Sequence, residues 1–396
     1  MSAIMNPGAA GKTAAQSIRV MIVDDAVVVR GVLGRWIEAE PDMQIVASLR
    51  NGREAVDHVE RVRPDVVVLD IDMPELDGLH ALPLLLARKR DLVVIMASTL
   101  TRRNAEISLR ALTLGAKDYI AKPNAYGDFA GADEFHRQLI EKIRQLSARF
   151  HRRVPAVGAA PPPKPPAVWP AKPAETAAAR IETPPLAPHH PDDIVLRAFP
   201  ACVPKVLVIG ASTGGPQALM SVIGKLNGVF DRVPILITQH MPPTFTAIIA
   251  EHLTQATGRK AREGRDGEPV TGGHVYVAPG GKHMRVVHRD GGPVIEINDQ
   301  PPVNFCKPAV DPLFESAARV WPQGVCALVL TGMGSDGLRG GRAIVAAGGS
   351  VVAQDEATSV VWGMPGQVAH AGICSAVLPV HEIAPRLNRL FSGEGA

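Results

Sequence analysis

The sequence has few of the features that mark metal-rich, disulfide-bonded or membrane proteins. Only four of its 396 residues are cysteines. They lie far apart and form no C-x-x-C pair, which argues against a zinc site and a disulfide framework. No apolar run approaches the ~18 residues that a membrane span requires. We therefore predict no direct membrane insertion, and we expect buried thiols at Cys202, Cys306, Cys326 and Cys374.

A strong charge bias is also missing. The formal net charge is +3 and no block of Lys or Arg occurs, so nothing in the charge balance requires a nucleic-acid partner. Residues 1–16 lack the apolar core of a signal peptide, and they predict a disordered lead-in. With 46% hydrophobic and 20% charged residues, the composition is that of a soluble globular protein, for which we predict a cytoplasmic location.

The chain is too long for one ordinary core, and its composition divides it. Residues 150–203 are rich in proline and alanine and lack apolar periodicity, so they predict a linker, partly extended. The adjacent His189 and His190 within it are predicted to be solvated. The linker separates an N-terminal unit, residues 17–149, from a C-terminal unit, residues 204–396.

The N-terminal unit alternates short apolar runs with helix-length segments. The runs span 18–23, 43–48, 65–69, 92–97 and 118–121, which predicts five βα units and a parallel sheet covered on both faces. We assign it a flavodoxin-like fold with strand order 2-1-3-4-5. In such sheets, functional groups gather beyond the carboxyl ends of the strands.

Carboxylates follow two strands that this order makes neighbours. Asp24 and Asp25 directly follow the first run, and Asp70 directly follows the third. Three carboxylates at one site repel each other unless a hard cation such as Mg²⁺ neutralises them. One could then attack a phosphoryl group, with Lys122 screening the charge and Ser98 donating a hydrogen bond. Alternatively, the first two aspartates cap a helix and the third lies in a turn.

Five motifs of this unit resemble the response-regulator receiver domain. They are "VDD", "VVVLDIDMPELDG", "IMAST", "GAKDY" and the "AKP" that follows. The resemblance implies phosphorylation of Asp70 by a histidine kinase of the chemotaxis (CheA) type, with Mg²⁺ as cofactor. It also implies an acidic metal pair at Asp24 and Asp25, a metal-binding backbone carbonyl at Asp72, and the switch residues Ser98, Tyr119 and Lys122.

The C-terminal unit shows a second series of apolar runs. They span 205–210, 233–239, 274–279, 325–332, 349–354 and 374–379, with helix-length stretches between some of them and a hairpin-like segment at 283–298. This pattern predicts a doubly wound, mostly parallel α/β domain with an antiparallel hairpin.

Three polar residues follow strand ends of this unit. Ser212, His240 and Asp336 are a candidate nucleophile, base and orienting acid. Their chain order matches neither the α/β-hydrolases nor chymotrypsin or subtilisin. Each has a structural alternative: a helix cap for the serine, a turn for the histidine, and a loop carboxylate for the aspartate. Asp311 or Asp355 could be the acid instead.

The glycines around Ser212 raise a further alternative. A glycine-rich turn at a helix start can cradle phosphate. The stretch "GASTGG" is not G-x-G-x-x-G, however, and it lacks the Lys-Ser/Thr ending of a P-loop, which disfavours nucleotide binding. A DNA-binding output domain is disfavoured too, because this unit is long and strand-rich with scattered basic residues.

Motifs along the whole C-terminal unit are similar to those of the CheB family of chemotaxis protein-glutamate methylesterases. They include "IGASTGGPQAL", "ITQHMPPTFT", "KPAVDPLFESAA" and "LTGMGSDG". The resemblance implies catalysis by Ser212, His240 and Asp336 without a cofactor, and an oxyanion hole from the backbone N–H groups of Thr213 and Met333. The implied substrates are glutamate γ-methyl esters on methyl-accepting chemoreceptors, with deamidation of receptor glutamines as a second activity. It also suggests that the unphosphorylated receiver covers the catalytic mouth.

Overall fold

A computed structural model of the chain describes residues 17–122, 129–151 and 194–394. The predicted lead-in and residues 152–193 of the predicted linker lie outside the described residues. Residues 194–203, which complete that linker, form neither helix nor strand, and the Arg197 N–H donates a hydrogen bond to the Cys374 carbonyl. Among the described residues, none of the helices is long and apolar enough to span a membrane.

The first unit contains a five-stranded parallel sheet with the predicted order 2-1-3-4-5. The register pairs Val23 with Leu69, so the carboxyl ends of β1 and β3 lie side by side. The buried faces of these strands are almost entirely Val, Ile, Leu and Met, as a sheet covered on both faces requires. The strands are β1 Ile18–Val23, β2 Met43–Leu49, β3 Val66–Asp70, β4 Val93–Ser98 and β5 Asp118–Ala121.

In the described part of this unit, five helices cover the sheet, and side chains cap three of them at their N-termini. Asn51, Asp77 and Thr101 each accept a hydrogen bond from a first-turn N–H. Asp24 accepts from the N–H of Ala26, the N-cap residue of the first helix, but no described side chain caps that helix, so the predicted capping by Asp24 and Asp25 is not observed. The helices are α1 Val27–Ala39, α2 Gly52–Val62, α3 Gly78–Arg88, α4 Arg102–Thr113 and α5 Phe129–His151.

The second unit contains a seven-stranded parallel sheet and a separate antiparallel hairpin, which confirms the predicted fold class. The sheet order is β14-β13-β12-β6-β7-β9-β8, and the hairpin is β10-β11. The edge strand β8 was not predicted, because its sequence "KARE" carries no apolar run. The strands are β6 Val206–Ala211, β7 Ile235–Gln239, β8 Lys260–Glu263, β9 His274–Val277, β10 His283–Arg289, β11 Gly292–Asn298, β12 Val325–Val329, β13 Ser350–Gln354 and β14 Ala376–Leu378.

Six α-helices pack around this sheet. Strands β6, β7 and β12 are neighbours at its centre, so the loops that follow them share one edge. That edge carries the predicted Ser212, His240 and Asp336. The helices are α6 Gly215–Ile223, α7 Phe245–Thr257, α8 Val310–Val320, α9 Leu338–Ala346, α10 Met364–His370 and α11 Val380–Phe391.

Candidate functional site

The predicted carboxylates of the N-terminal unit form one cluster. Oxygen atoms of Asp24, Asp25 and Asp70 all lie within 4.8 Å of one another. The Lys122 ammonium reaches into the cluster from the end of β5, with its Nζ 2.6 Å from Asp24 Oδ2 and 2.6 Å from Asp70 Oδ1. One cation leaves most of the carboxylate charge uncompensated, so the donor set suits a hard divalent ion.

Burial distinguishes Asp70 from an ordinary aspartate. Loss of hydration raises the pKa of its carboxyl group to about 6, and the Asp24 charge adds to this, while the Lys122 ammonium opposes it. The pKa of Lys122 is raised despite its burial, because both carboxylates stabilise the ammonium. At neutral pH, Asp70 is therefore mostly ionised and still basic enough to act as a nucleophile.

The other predicted residues of this unit surround the cluster. The buried Ser98 hydroxyl lies 3.0 Å from the Ser108 hydroxyl, and the Ser98 carbonyl accepts from the Lys122 N–H. Asp72 directs a carboxylate oxygen to Asn104 Nδ2 at 3.0 Å. Its carbonyl accepts no hydrogen bond within the described parts of the chain. The Tyr119 ring does not join the cluster; it stacks on Phe245 of the C-terminal unit.

Ser212 lies in a tight turn between β6 and α6. The Ser212 N–H donates to the Thr331 carbonyl at 3.1 Å, which ties the turn to the loop after β12. A Cβ at Gly332 would lie 2.8 Å from Ser212 Cβ, so only glycine fits there. Gly214, the N-cap residue of α6, has φ +75°, which favours glycine. Within the described residues, the half-buried Ser212 hydroxyl makes no hydrogen bond.

The His240 ring bridges two side chains. Its Nε2 lies 2.8 Å from Asp336 Oδ2, and its Nδ1 lies 3.3 Å from Cys306 Sγ. Asp336 is buried, and its carboxylate also accepts from three backbone N–H groups and one side-chain amide. These further donors are Val310 N, Asp311 N, Gly337 N and Asn304 Nδ2.

The environment favours a charged His240–Asp336 pair. Burial alone would lower the pKa of His240, but the neighbouring Cys306 and Asp336 outweigh it and raise the pKa to about 10. Burial would likewise raise the pKa of Asp336, but His240 and the backbone donors lower it. Asp336 is therefore an anion that accepts a hydrogen bond from Nε2–H, and Nδ1 remains as the nitrogen for proton transfer.

The two predicted oxyanion donors are available to bind an oxyanion. The backbone N–H groups of Thr213 and Met333 donate to no group within the described residues. Both flank the Ser212 turn, one as the next residue and the other beside Gly332. The Thr213 hydroxyl, by contrast, donates to Asp118 of β5 at 2.8 Å. A residue of the N-terminal unit therefore contacts the neighbour of the predicted nucleophile.

Further contacts between the units surround this region. The Tyr119 and Phe245 rings stack with their centroids 4.5 Å apart and 6° between their planes. The Arg137 guanidinium lies over the Phe305 ring, 4.6 Å from its centroid. Met333 also packs, partly buried, with the hydrophobic cluster of β1, β3 and α5. The N-terminal unit thus covers one side of the predicted catalytic edge.

Comparison with known proteins assigns both units. Residues 207–387 match the CheB methylesterase family, and residues 20–131 match the response regulator receiver domain. A protein from Rhodopseudomonas palustris (strain HaA2), named protein-glutamate methylesterase/protein-glutamine glutaminase, is 59% identical over 394 residues, covering 99% of each chain. The chain belongs to the CheB family.

A second relative matches over nearly the same length, and a solved structure matches about half of the chain. A relative of the same activity name from Bradyrhizobium diazoefficiens is 58% identical, covering 95% of each chain. A solved CheB methylesterase catalytic domain from Thermotoga maritima is 38% identical with a TM-score of 0.46. It covers 47% of this chain and 98% of that one.

Geometry separates the three candidate acids of the CheB catalytic unit. Asp311 accepts from the Gly337 and Gly340 N–H groups, and Asp355 accepts from Thr358. Among these three aspartates, Asp336 alone bonds to His240.

Two groups near the site were missed from the sequence of this CheB chain. Gln239 Nε2 donates to the Ser212 carbonyl at 2.9 Å, so it links the serine turn to the strand that carries His240. Cys306 contacts His240 itself. The prediction of four buried thiols is wrong for two of them, because Cys306 is half-buried and Cys202 is exposed. Cys306 lies in the irregular segment between β11 and α8, so no periodic pattern marks it.

Proposed function

We propose that this chain hydrolyses glutamate γ-methyl esters on methyl-accepting chemoreceptors and deamidates specific receptor glutamines, for adaptation in chemotaxis-type signalling. The observation that carries this proposal is the His240–Asp336 pair on the same sheet edge as the Ser212 turn. In this proposal residues 17–149 form the receiver, 150–203 the linker and 204–396 the catalytic domain. We place the protein in the cytoplasm, with neither nucleic-acid binding nor membrane insertion.

The proposed esterase reaction begins at Ser212. Its Oγ attacks the ester carbonyl while His240 Nδ1 takes the hydroxyl proton, and Asp336 stabilises the resulting imidazolium. The Thr213 and Met333 N–H groups bind the oxyanion, where a single donor is worth about 3 kcal/mol. His240 then protonates the methanol that leaves.

Water completes the reaction by the same route. His240 takes a proton from water, the hydroxide attacks the glutamyl-serine ester, and His240 returns the proton to Ser212 Oγ. A receptor glutamine would follow the same steps with ammonia as the leaving group. Every proton transfer uses a residue already in the site, so the proposal requires no cofactor for the ester reaction.

We propose Asp70 as the phosphorylation site. Its ionised carboxylate attacks the phosphoryl group carried by a chemotaxis histidine kinase of the CheA type, and the kinase histidine leaves. Asp24, Asp25, Asp70 and the Asp72 carbonyl would hold Mg²⁺, which when bound neutralises charge on the phosphoryl oxygens. Lys122 and Ser98 would bind those oxygens as well, since both lie at neighbouring strand ends.

The contacts between the units support control by covering. Asp118 holds the Thr213 side chain, and Tyr119, the residue next to it, stacks on Phe245 of α7. A change at Lys122 and Ser98 on phosphorylation would act on β5 directly. We therefore propose that phosphorylation weakens this interface and exposes the catalytic edge.

Methanol release from methylated receptors tests the proposal. The wild-type protein should release methanol, and a small phosphodonor with Mg²⁺ should increase the rate. Asp70→Asn should keep the basal rate and lose the increase. If Ser212→Ala released methanol at a near-normal rate, the assigned nucleophile would be wrong.

A further inference from the structure

Cys306 ends a tight turn beside the catalytic edge. The Val303 N–H donates to the Cys306 carbonyl at 3.1 Å and the Cys306 N–H to the Val303 carbonyl at 2.9 Å. Between them, Asn304 and Phe305 both have positive φ, at 51° and 61°, as in a type I′ turn. The turn directs Phe305 outwards, with 75% of it exposed, and Cys306 inwards.

This turn contacts both polar partners of the proposed proton relay. Asn304 Nδ2 lies 3.2 Å from Asp336 Oδ1, and Cys306 Sγ lies 3.3 Å from His240 Nδ1. The receiver holds the tip of the turn, where the Arg137 guanidinium lies on the Phe305 ring. The position of the thiol is therefore fixed from both sides while the receiver covers the catalytic domain.

An imidazole has only two nitrogens, and both are occupied here. Nε2 faces Asp336. This carboxylate accepts several hydrogen bonds, so it is an anion with no proton to donate, and Nε2 must carry the hydrogen that lies between them. The Ser212 proton can therefore go only to Nδ1. In this structure Nδ1 faces the Cys306 sulfur instead, and the Ser212 hydroxyl has no partner among the described residues.

We propose that Cys306 is a positioning residue that competes with Ser212 for Nδ1 of His240 and holds the base out of use until the turn moves. This inference rests on the proposed esterase mechanism, in which Nδ1 must accept a proton. The raised pKa of His240 is consistent with it, since Cys306 and Asp336 are the charged or titratable groups that raise that pKa. Asp311 bonds to the Gly337 and Gly340 N–H groups, not to the ring.

The first test measures the pKa of the His240 imidazole by NMR in the full chain, with His240→Gln to assign its signal. Removing the thiol in Cys306→Ala should lower that pKa by at least about one unit, a tenfold change in the neutral fraction at a fixed pH. Cys306→Ser keeps a similar shape and should also lower it. An unchanged pKa in both variants would overturn the proposal. This readout requires no esterase activity, so it is independent of whether Ser212 is the nucleophile.

The second test follows methanol release by the unphosphorylated full chain against pH. In Cys306→Ala, the acid limb of kcat should move to lower pH and kcat near neutrality should rise about tenfold, with KM unchanged. Cys306→Ser keeps a hydroxyl that can bond to Nδ1, so its gain in kcat should be smaller. The exposed Cys202→Ser is the matched control and should behave as wild type. Thermal unfolding of each variant checks its fold. An unchanged or lower kcat for a folded Cys306→Ala variant would contradict competition.

Discussion

The two candidate sites of this chain share one architectural position but differ in their state of assembly. Each lies beyond the carboxyl ends of neighbouring parallel strands. In the receiver, Lys122 already pairs with Asp24 and Asp70 across three strand ends. In the catalytic domain, His240 and Asp336 are paired but the Ser212 hydroxyl is left without a partner among the described residues.

The difference follows from which groups carry charge. Opposite charges attract strongly in a buried pocket, and here Lys122 pairs with both Asp24 and Asp70 in spite of the cost of burying them. A neutral hydroxyl carries no net charge that would draw an imidazole to it, and this imidazole is held by a thiol and a carboxylate. We infer that the signalling site is preformed while the esterase site needs a conformational step, as a regulated enzyme requires.

The largest expected effect tests Ser212, the proposed nucleophile. Ser212→Ala removes the proposed nucleophile and should lower kcat for methanol release by about 10⁶-fold. The alanine fits the turn, because the Ser212 side chain makes no hydrogen bond that folding needs within the described residues. The thermal unfolding temperature should therefore stay close to that of wild type. A loss below tenfold would remove the serine from the mechanism.

The next largest effect tests the His240–Asp336 pair. Asp336→Asn keeps the shape but loses the charge that orients His240 and stabilises its imidazolium, so kcat should fall by about 10⁴-fold. Asp355→Asn is the matched control, since Asp355 bonds to Thr358 and not to His240. Equal losses in the two variants would show that the assignment of the acid is wrong.

Strand patterning predicted most of this molecule, and side-chain contacts between distant loops account for what it missed. The regular alternation of apolar strands and helices predicted a parallel α/β sheet, and the structure confirms the assigned order 2-1-3-4-5. That order alone brings Asp24 and Asp70 together. Cys306 and Asp118 could not be found in this way, because their partners are distant in sequence. His240 is 66 residues from Cys306, and Thr213 is 95 residues from Asp118. The short charged strand β8 was missed for lack of any apolar pattern.

The acidic cluster should respond to Mg²⁺ as a preformed site does. A ligand that binds the native state at 100 times its Kd stabilises it by about 2.7 kcal/mol, so Mg²⁺ should raise the Tm of the receiver transition. Asp25→Asn removes an exposed member of the cluster, and it should reduce this rise without altering the Lys122 pairs. Calorimetry with and without Mg²⁺ measures it. A full response in Asp25→Asn would exclude this side chain from the site.

The smallest expected effect tests whether the receiver covers the catalytic edge. Arg137→Ala removes the cation above the Phe305 ring, a contact worth about 0.5–1 kcal/mol at an exposed position, so the unphosphorylated chain should release methanol about two- to fivefold faster. Asp70→Asn with Arg137→Ala should show the same gain, because the interface is weakened without phosphorylation. Arg285→Ala breaks a comparable surface pair with Glu296 in the hairpin and should change nothing. If Arg137→Ala matched that control, its contact with the Phe305 turn would have no part in holding the receiver over the catalytic edge.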